Sequence, residues 1–443
     1  MESVLEPERR IPLLGEYEVV VLGGGPAGIA AAVACSRAGR STLLVERYGF
    51  LGGMGTAAGV TNFCGLHANV EGDVRQVVHG VADDLLGRIA GLGGLNEPHS
   101  LFGGRIAAQA YDNAAYKLAA DDLMVSSGVS LLFHALGAGV LMRSPGEIDC
   151  VLLETKSGRR AVRAKVFIDC SGDGDLAAWA GAPYEKGDGA GAMLYPSTMF
   201  RINGVDPARA AGASEKIPAL MEEARARGRR FPRKGAIVRP QKNPVEWRAN
   251  VTQIANGDGS AVDGTDAAQL SRGEVEGRRQ VLDVFRFLRE SAPGFDGAYI
   301  FEIAPQIGIR ETRRVRGEYQ LTEEDVLGCA SFPDSIGVNG WPVEAHVPGD
   351  VVFRWTQAGS RGYNHLPFRM LLPLKVDNLL VAGRCASMTH GGQSAARVSG
   401  ACFVMGQAAG SAADLALRAG RSCREVDVKE LQNRLKTDGA FLG

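Results

Sequence analysis

The stretch from Tyr17 to Arg47, YEVVVLGGGPAGIAAAVACSRAGRSTLLVER, constrains the fold of this chain more than any other. Its pattern predicts a buried strand, a Gly-rich turn, a helix, a second strand and then the acidic residue Glu46. The turn contains Gly23, Gly25 and Gly28 as G-x-G-x-x-G, which allows a tight turn, a close approach of the backbone to a pyrophosphate and close packing of helix against strand. The stretch therefore predicts a dinucleotide-binding unit, in which Glu46 accepts hydrogen bonds from an adenosine ribose.

Composition and charge narrow the class of partner. The chain has 443 residues, with 49 Lys and Arg against 50 Asp and Glu, so that its formal net charge is −1. This balance argues against binding of nucleic acid or of an anionic membrane through bulk charge. No run reaches the length of about 18 apolar residues that a membrane span needs, and no signal segment is visible at the N-terminus. The eight cysteines form no C-x-x-C, so we expect no metal site and predict reduced thiols in a cytoplasmic protein.

The pattern along the chain predicts two domains, one of them discontinuous. Residues 1–180 and 366–443 share strand and helix patterns and are expected to form one domain, whereas residues 181–365 hold charged helices and polar loops and are expected to form an inserted α+β substrate domain. Within the first domain, the runs GVLMR, IDCVLLETKSGRR and AVRAKVFID predict a three-stranded antiparallel meander followed by a return strand, VFID. The predicted fold class is α/β, with a Rossmann-like unit.

Several segments carry a resemblance to a known family: LLVERYGFLGGMGTA, AQAYDNAAYKLAADDLMVSSGVSLL, IGIRETRRVRGEYQLTEEDV, LPFRMLLPLKVDNLLVAGRC and SAARVSGACFVMGQAAG. The chain resembles the FAD-dependent oxidoreductase family, which has the glutathione-reductase-type FAD-binding fold and is related to the succinate dehydrogenase and fumarate reductase flavoproteins. The resemblance implies FAD as the cofactor. The fumarate reductase group uses a histidine for a covalent flavin bond, and the corresponding run Met54–Ala58 has none, so we expect non-covalent FAD. Cys64 is the one nearby nucleophile that would change this expectation.

The resemblance also implies which residues hold the cofactor. The pyrophosphate, ribose, adenine, ribityl chain and flavin are expected to contact Gly23, Gly25, Pro26, Ala27, Gly28, Glu46, Arg47, Gly52, Gly53, Met54, Ala135, Gly383, Arg384, Gly391 and Gly392. The helix that opens after the Gly391-Gly392 pair is expected to point its N-terminus at the flavin. The segment DCSGDGD adds Asp169, Ser171 and Gly172, which resemble a ribitol-contacting segment of flavin hydroxylases and fit equally a turn that closes a strand.

Histidines near the predicted cofactor helix are candidates for proton transfer. His390, in Thr-His-Gly-Gly, resembles the substrate-site histidine of the fumarate reductase group and is predicted to act as a general base. The alternative is a histidine that only orients its turn. Tyr363 or His365, at the predicted domain junction, is a further candidate for the substrate pocket.

Arginines supply the other candidate catalytic residues. Arg310 follows the apolar run IAPQIGI and is predicted to point inward, where it would bind a substrate carboxylate or steady negative charge on the flavin. Arg397, in SAARVSG, is predicted to contact substrate or flavin, although an exposed helix arginine is an equal alternative. Arg313 and Arg314 are predicted to lie on a solvated strand face.

These features predict an FAD-dependent dehydrogenase or oxidase that transfers a hydride between a small organic substrate and flavin N5. The alternatives are an FAD monooxygenase that uses NAD(P)H and O2, and a non-catalytic flavin-binding protein. The sequence leaves open the substrate, the electron acceptor, the direction of the reaction and the oligomeric state, a homo-oligomer included. Neither nucleic acid nor a membrane is expected as a partner.

Overall fold

The computed structural model of this chain describes residues 3–443. Its strands are β1 (Leu13–Leu22), β2 (Thr42–Val45), β3 (Asn62–Cys64), β4 (His67–Val70), β5 (Asp73–Gln76), β6 (Leu95–Leu101), β7 (Ile106–Tyr111), β8 (Ser130–Leu132), β9 (Leu136–Ser144), β10 (Glu147–Thr155), β11 (Gly158–Asp169), β12 (Tyr184–Glu185), β13 (Phe200–Asn203), β14 (Ile237–Pro240), β15 (Trp247–Asn250), β16 (Tyr299–Ile303), β17 (Arg314–Val315), β18 (Ser335–Asn339), β19 (Val343–Val347), β20 (Asp350–Arg354), β21 (Asn364–Pro367) and β22 (Leu379–Val381).

The helices run between these strands. They are α1 (Pro26–Arg37), α2 (Met54–Ala57), α3 (Val81–Gly91), α4 (Asn113–Ser126), α5 (Asp175–Trp179), α6 (Ala213–Ala226), α7 (Ala267–Ser291), α8 (Glu323–Leu327), α9 (His390–Ala396), α10 (Ser399–Ala419) and α11 (Val428–Thr437). Within residues 3–443, no helix combines the length and the apolar character that crossing a membrane requires.

The largest sheet has the strand order β8-β2-β1-β11-β10-β9, with β22 also paired to β11. β1 runs parallel to both β2 and β11, and β2 runs parallel to β8. Helix α1 connects β1 to β2, as a parallel pair requires. The predicted α/β class with a Rossmann-like unit is confirmed.

The long strand β11 joins two parts of this sheet. Its first half pairs antiparallel with β10, with Arg163 opposite Cys150, and its end pairs parallel with β22, with Phe167 opposite Leu379. The separate return strand that the sequence predicts is therefore the end of β11 itself. The physical reason is that neither Gly nor Pro interrupts the segment between Gly158 and Asp169, so nothing breaks the extended backbone.

Helices α1 and α10 bring the two ends of the chain together. α1 is buried along most of its length and consists mainly of small residues. On α10, a Cβ at Gly406 would lie 2.8 Å from Cα of Ala27, and a Cβ at Gly410 would lie 2.8 Å from Cβ of Ala34. The missing side chains allow the helices to approach closely, which places α10 beside the Gly-rich turn after β1.

The buried apolar side chains form two main clusters. The larger one surrounds the main sheet and includes residues of β1 and α1 as well as of α10 and α11, together with Val315 and Val343. The second one, built on residues 200–298, lies between the sheet β14-β15-β13-β16 and helices α6 and α7. Val315 and Val343 fall inside the predicted insert of residues 181–365 but pack with the first cluster, and the domain boundaries themselves stay a prediction.

Candidate active site

A large cavity lies where the main sheet faces the sheet of β13–β16. Leu22, Val45 and Cys170, at or just after the carboxyl ends of three parallel strands, line one part of it, whereas Arg239 and Arg248 from β14 and β15 line another. Ligands of open α/β sheets bind outside the carboxyl ends of the strands. The predicted dinucleotide would therefore lie in this cavity.

The Gly-rich turn after β1 borders the cavity. Four of the five residues predicted here line it, namely Gly23, Gly25, Pro26 and Ala27. Gly23 has a φ of 103°, which favours glycine, and a Cβ at Gly28 would lie 2.9 Å from the carbonyl carbon of Gly23. α1 begins at Pro26, and its N-cap residue Gly25 has no side chain to satisfy the first N–H groups. These free donors fit an anionic ligand.

Glu46 directly follows β2 and lines the same cavity. The side chain is buried, with Oε2 accepting from the Gly24 N–H at 2.7 Å and Oε1 accepting from the Tyr48 N–H at 3.0 Å. Arg47 also lines the cavity, and its guanidinium carbon lies 5.0 Å from the centre of the Tyr48 ring. The two hydrogen bonds fix the carboxylate, which retains acceptor capacity toward the cavity.

The segment after β2 contributes two of its three predicted residues. Gly53 and Met54 line the cavity, whereas Gly52 packs against Thr56, whose Oγ1 would lie 2.7 Å from a Cβ at Gly52. Ala135 lines the cavity too, and its N–H donates to the Glu46 carbonyl at 3.2 Å. Backbone atoms of this region therefore border the ligand space.

The turn after β11 is organised by a buried carboxylate. Ser171 and Gly172 line the cavity, but Asp169 does not; it lies behind them and is fully buried. Its carboxylate accepts from Ser171 Oγ at 2.7 Å and from the Ala177 N–H at 3.1 Å. Burial raises the pKa of Asp169 to about 6, and the hydrogen bonds oppose that rise. Asp169 is thus a positioning residue for the turn.

Gly383 and Arg384, just after β22, line the cavity opposite this turn. Arg384 Nε donates to the Gly172 carbonyl at 2.8 Å, and Nη2 lies 2.7 Å from Oδ1 of Asp173. The guanidinium therefore connects β22 to the turn after β11.

The glycines of α9 have a packing role. Neither Gly391 nor Gly392 lines the cavity. A Cβ at Gly391 would lie 2.7 Å from Cβ of Glu323, and a Cβ at Gly392 would lie 2.8 Å from the carbonyl carbon of Leu321. The helix whose first turn borders the cavity is instead α10, through Ser399. The first turn of α10, and not that of α9, therefore borders the space in which the cofactor is predicted to lie.

His390, the predicted base, is held away from the cavity by a buried acid. Its Nδ1 lies 3.0 Å from Oε2 of Glu311, and His390 is absent from the cavity lining. Glu311 also accepts from Arg314 and from the Leu194 N–H at 2.9 Å. Arg314 is 2% exposed, so the predicted solvated face is wrong for this residue; its neighbour Arg313 pairs with Asp175 at 2.8 Å.

Arg310 and Arg397 both line the cavity. Arg310 is 6% exposed, its Nη1 donates to the Tyr195 carbonyl at 2.9 Å, and its own carbonyl accepts from Gln393 at 2.8 Å. Arg397 caps the C-terminus of α9 and donates to the Glu344 carbonyl at 3.3 Å. The inward orientation predicted for Arg310 is what the structure has, and Arg397 is not an exposed helix residue.

Sequence reasoning missed four charged residues of the cavity, which are Asp175, Arg239, Arg248 and Glu344. Glu344 is held by Trp341 Nε1 at 2.8 Å and by His346 Nε2 at 2.9 Å. Burial opposes ionisation, but these hydrogen bonds and the nearby charge of Arg397 lower its pKa to about 2. The signal that could have found the arginines is the alternation in IVRP and WRAN, two short strands in a stretch that reads as polar loop.

The remaining candidates divide between the cavity and its surroundings. Cys64 lines the cavity, and burial raises the pKa of its thiol to about 12, which disfavours the reactive thiolate. Tyr363 borders a smaller, separate cavity, and the ring of His365 stacks on it at 6.4 Å between centroids. The structure does not bring Tyr363 or His365 to the main cavity.

Comparison with known proteins gives a family match. A protein-family model described as FAD dependent oxidoreductase matches residues 18–435. A search of curated protein sequences gives no match.

Solved structures similar in fold include a geranylgeranyl bacteriochlorophyll reductase-like protein from Thermoplasma acidophilum (15% identity, TM-score 0.45, covering 96% of this chain and 83% of that one). Others are p-nitrophenol 4-monooxygenase PnpA from Pseudomonas putida DLL-E4 (12% identity, TM-score 0.49, 97% and 89%) and L-proline dehydrogenase from P. horikoshii (12% identity, TM-score 0.39, 97% and 100%). At such identities the likeness concerns the fold alone.

Proposed function

Because this chain belongs to the FAD dependent oxidoreductase family, we propose that it is a dehydrogenase or oxidase that moves a hydride from or to a small organic substrate. One observation carries the proposal. The residues suited to FAD and a separate set of charged side chains, including Arg310 and Arg397, line the same cavity. A substrate held by those side chains would share that space with the cofactor.

The cavity fits FAD on its own chemistry. The uncapped N–H groups at the start of α1 suit a pyrophosphate, and the buried carboxylate of Glu46 suits a ribose hydroxyl. FAD supplies the hydride acceptor or donor when it is bound. The raised pKa of Cys64 supports non-covalent binding, because a covalent thioether needs a nucleophilic sulfur.

The side chains of the chain itself would bind and orient the substrate. Arg310 is fixed by the Tyr195 carbonyl and, through its backbone, by Gln393, so its guanidinium is held before a substrate arrives. Such preorganisation lowers the entropy that binding costs. Glu344 stays ionised at neutral pH, since its pKa is about 2, and acts through its charge and not by proton transfer.

His390 is left out of the proposed chemistry. Its imidazole lies on Glu311, away from the cavity, where it helps to satisfy a buried carboxylate. The role we propose for it is structural: with Arg314 and the Leu194 N–H, it satisfies the buried carboxylate of Glu311.

The test is an anaerobic screen for substrates that bleach the flavin band near ~450 nm. Any substrate found should reduce the flavin of the Arg310→Ala variant at least ~10²-fold more slowly than that of the parent protein, because a fixed charged hydrogen bond to the substrate is lost. The variant should still bind a full complement of FAD. Arg278→Ala, an arginine half-exposed on α7, is the matched control. Bleaching only by NAD(P)H, with oxygenated product formed in air, would reject the proposal in favour of a monooxygenase.

A further inference from the structure

Two pairs of arginines line the cavity beyond the residues suited to FAD. Arg239 and Arg248, the strand pair, are directly opposite on β14 and β15, so their side chains share one face of the sheet. Arg310 and Arg397, the inner pair, come from the loop after β16 and the end of α9. The thiol of Cys64 lies near both sets, since the charges of Arg239, Arg248 and Arg397 all act on its pKa.

Within the described part of the chain, none of these four arginines forms an ion pair with a carboxylate. Three of them donate to backbone carbonyls instead: Arg248 to Val60, Arg310 to Tyr195 and Arg397 to Glu344. On the neighbouring strand β13, Arg201 pairs with Glu246 and with Glu302 at 3.1 Å. The sheet of β13–β16 therefore has acidic residues beside it, but Glu246 and Glu302 do not line the cavity.

The carboxylates that line the cavity offset only part of the positive charge of the two pairs. Glu46 and Asp175 lie on the side of the main sheet, and both oxygens of Glu344 are already taken by Trp341 and His346. Four positive charges against the one carboxylate of Glu344 leave a net charge of about +3 in this part of the cavity.

This excess of positive charge is costly in the absence of an anion. Burial and the charge of Arg239 lower the pKa of Arg248 to about 10, and burial together with Arg397 lowers the pKa of Arg310 well below its usual range. Nearby His99 has its pKa lowered to about 4 by burial and by the strand pair. Like charges directly opposite in a sheet are destabilising. Such a cluster in a cavity is typical of a binding site.

We propose that the substrate is an organic acid with two anionic groups, one held by the strand pair and the other by the inner pair. That this acid is the substrate rests on the proposed function, whereas its binding rests on the arginines alone. Arginine pairs hold carboxylate and phosphate groups through forked hydrogen bonds. Trp341 and Phe353 also line the cavity and would contact the apolar body of the molecule.

The phosphates of FAD are a poor alternative occupant for these arginines. The pyrophosphate already has the uncapped N–H groups of α1, and Arg384 lies beside the turn after β11. The strand pair belongs to the other sheet, near Val60 and Cys64.

The test is a titration of the oxidised holoenzyme with candidate anions at constant ionic strength. Binding is measured from the change in the visible absorbance spectrum of the flavin. The probes are the dicarboxylates from malonate to adipate, the monocarboxylates of matching length, and phosphoglycolate. We expect at least one dianion to bind about 10-fold or more tightly than its matched monoanion, because it engages both pairs. Tighter binding of phosphoglycolate than of malonate would identify a phosphate as one of the two anionic groups. Tighter binding of malonate would identify two carboxylates.

Variants separate the two pairs. Arg239→Gln should weaken the best dianion about 10-fold or more but change binding of its monoanion less, since the inner pair remains. Arg239→Lys should recover part of the loss by keeping the charge, which also guards against a folding defect. Arg278→Gln on α7 is the control.

Three results would overturn the inference: no dianion that exceeds its monoanion, loss of FAD from Arg239→Gln and Arg239→Lys alike, or equal weakening of both ligand classes. The outcomes also separate this inference from the proposed function. Tight dianion binding without flavin reduction by any hydride donor would reject the function and keep the site. Reduction by a neutral substrate, with no dianion bound, would keep the function and reject the site.

Discussion

The side chains of His390 and Arg310 differ in what they can reach. Arg310 lines the cavity, whereas His390 donates toward a carboxylate that is 1% exposed. Removal of the imidazole therefore leaves Glu311 with Arg314 and the Leu194 N–H as partners. A lost hydrogen bond to a buried charged group costs about 1–3 kcal/mol.

We predict that His390→Ala lowers the free energy of unfolding by about 1–3 kcal/mol but leaves flavin reduction within about threefold of the parent rate. Stopped-flow reduction and denaturant unfolding measure the two quantities on the same protein. A rate loss of about 10²-fold with unchanged stability would restore His390 as a general base.

Local sequence pattern predicts some residues of the site but not others. G-x-G-x-x-G and Glu46 follow from local pattern, since one short segment supplies both the turn and the acid. Arg239 and Arg248 do not, because their role depends on the pairing of β14 with β15 and on how that sheet faces β1 and β11. Neither relation is encoded within a short window of sequence.

At the scale of elements, the packing of α10 on α1 depends on glycine. A Cβ at Gly406 would lie 2.8 Å from Cα of Ala27 on α1, a backbone atom that cannot move independently. Gly87, in the middle of α3, is exposed and has open space around it. The same change to alanine should therefore have opposite effects at the two positions.

We predict that Gly406→Ala lowers the free energy of unfolding by about 1–3 kcal/mol through overpacking, and weakens FAD retention because α10 shifts. Gly87→Ala should raise the free energy of unfolding by up to about 1 kcal/mol, which is the difference in helix propensity between glycine and alanine. Denaturant melts of both variants give the comparison. Equal effects of the two substitutions would mean that the α1–α10 contact does not limit stability.

The turn after β11 carries a pH dependence. The pKa of Asp169 is raised by burial to about 6, above its unfolded value, so its contribution to stability is fully present below the unfolded pKa and is lost as pH rises through about 6. At about 1.4 kcal/mol per unit, the loss is about 3 kcal/mol between pH 4 and pH 7.

We predict that Asp169→Asn flattens the fall in stability between about pH 4 and pH 7, measured as the unfolding midpoint at several pH values. Absolute stability is a weaker test, since an amide also loses the acceptor that binds the Ala177 N–H. A parallel pH profile in variant and parent would assign the slope to another group.

The elements predicted from sequence and those observed differ mostly at their ends. The apolar spacing of residues 76–91 predicts a helix, but α3 begins only at Val81, because Gln76 still belongs to β5, paired with β4, and Gly80, with a φ of 77°, is the N-cap residue. The pattern of Tyr111–Ser127 likewise predicts a helix, and α4 begins at Asn113, with Asp112 as its N-cap. Pairing with a distant strand and side-chain capping decide such boundaries, and periodicity alone reports neither.

At the scale of the whole molecule, the cavity is assembled from segments far apart in the chain. Residues near 23, 47, 135, 171, 309, 384 and 399 all line it. No local segment could bind FAD alone, so cofactor binding and folding are thermodynamically linked. The ends of β1 and β2, through the Gly-rich turn and Glu46, face the part that suits the adenosine and pyrophosphate.

FAD added to the apoprotein at about 100 times its dissociation constant should therefore raise the free energy of unfolding by about 2.7 kcal/mol. FMN at the same concentration should stabilise far less, because it lacks the adenosine and the second phosphate that the Gly-rich turn and Glu46 would hold. Apoprotein prepared by acid and salt treatment, refolded and melted with each flavin, provides the measurement, and ADP serves as the control for the half that FMN lacks. If FMN stabilised as much as FAD while ADP gave nothing, the residues at the ends of β1 and β2 would not be the anchor of the cofactor, and the flavin ring would have to be held mainly by the segment around Gly53 and by the first turn of α10.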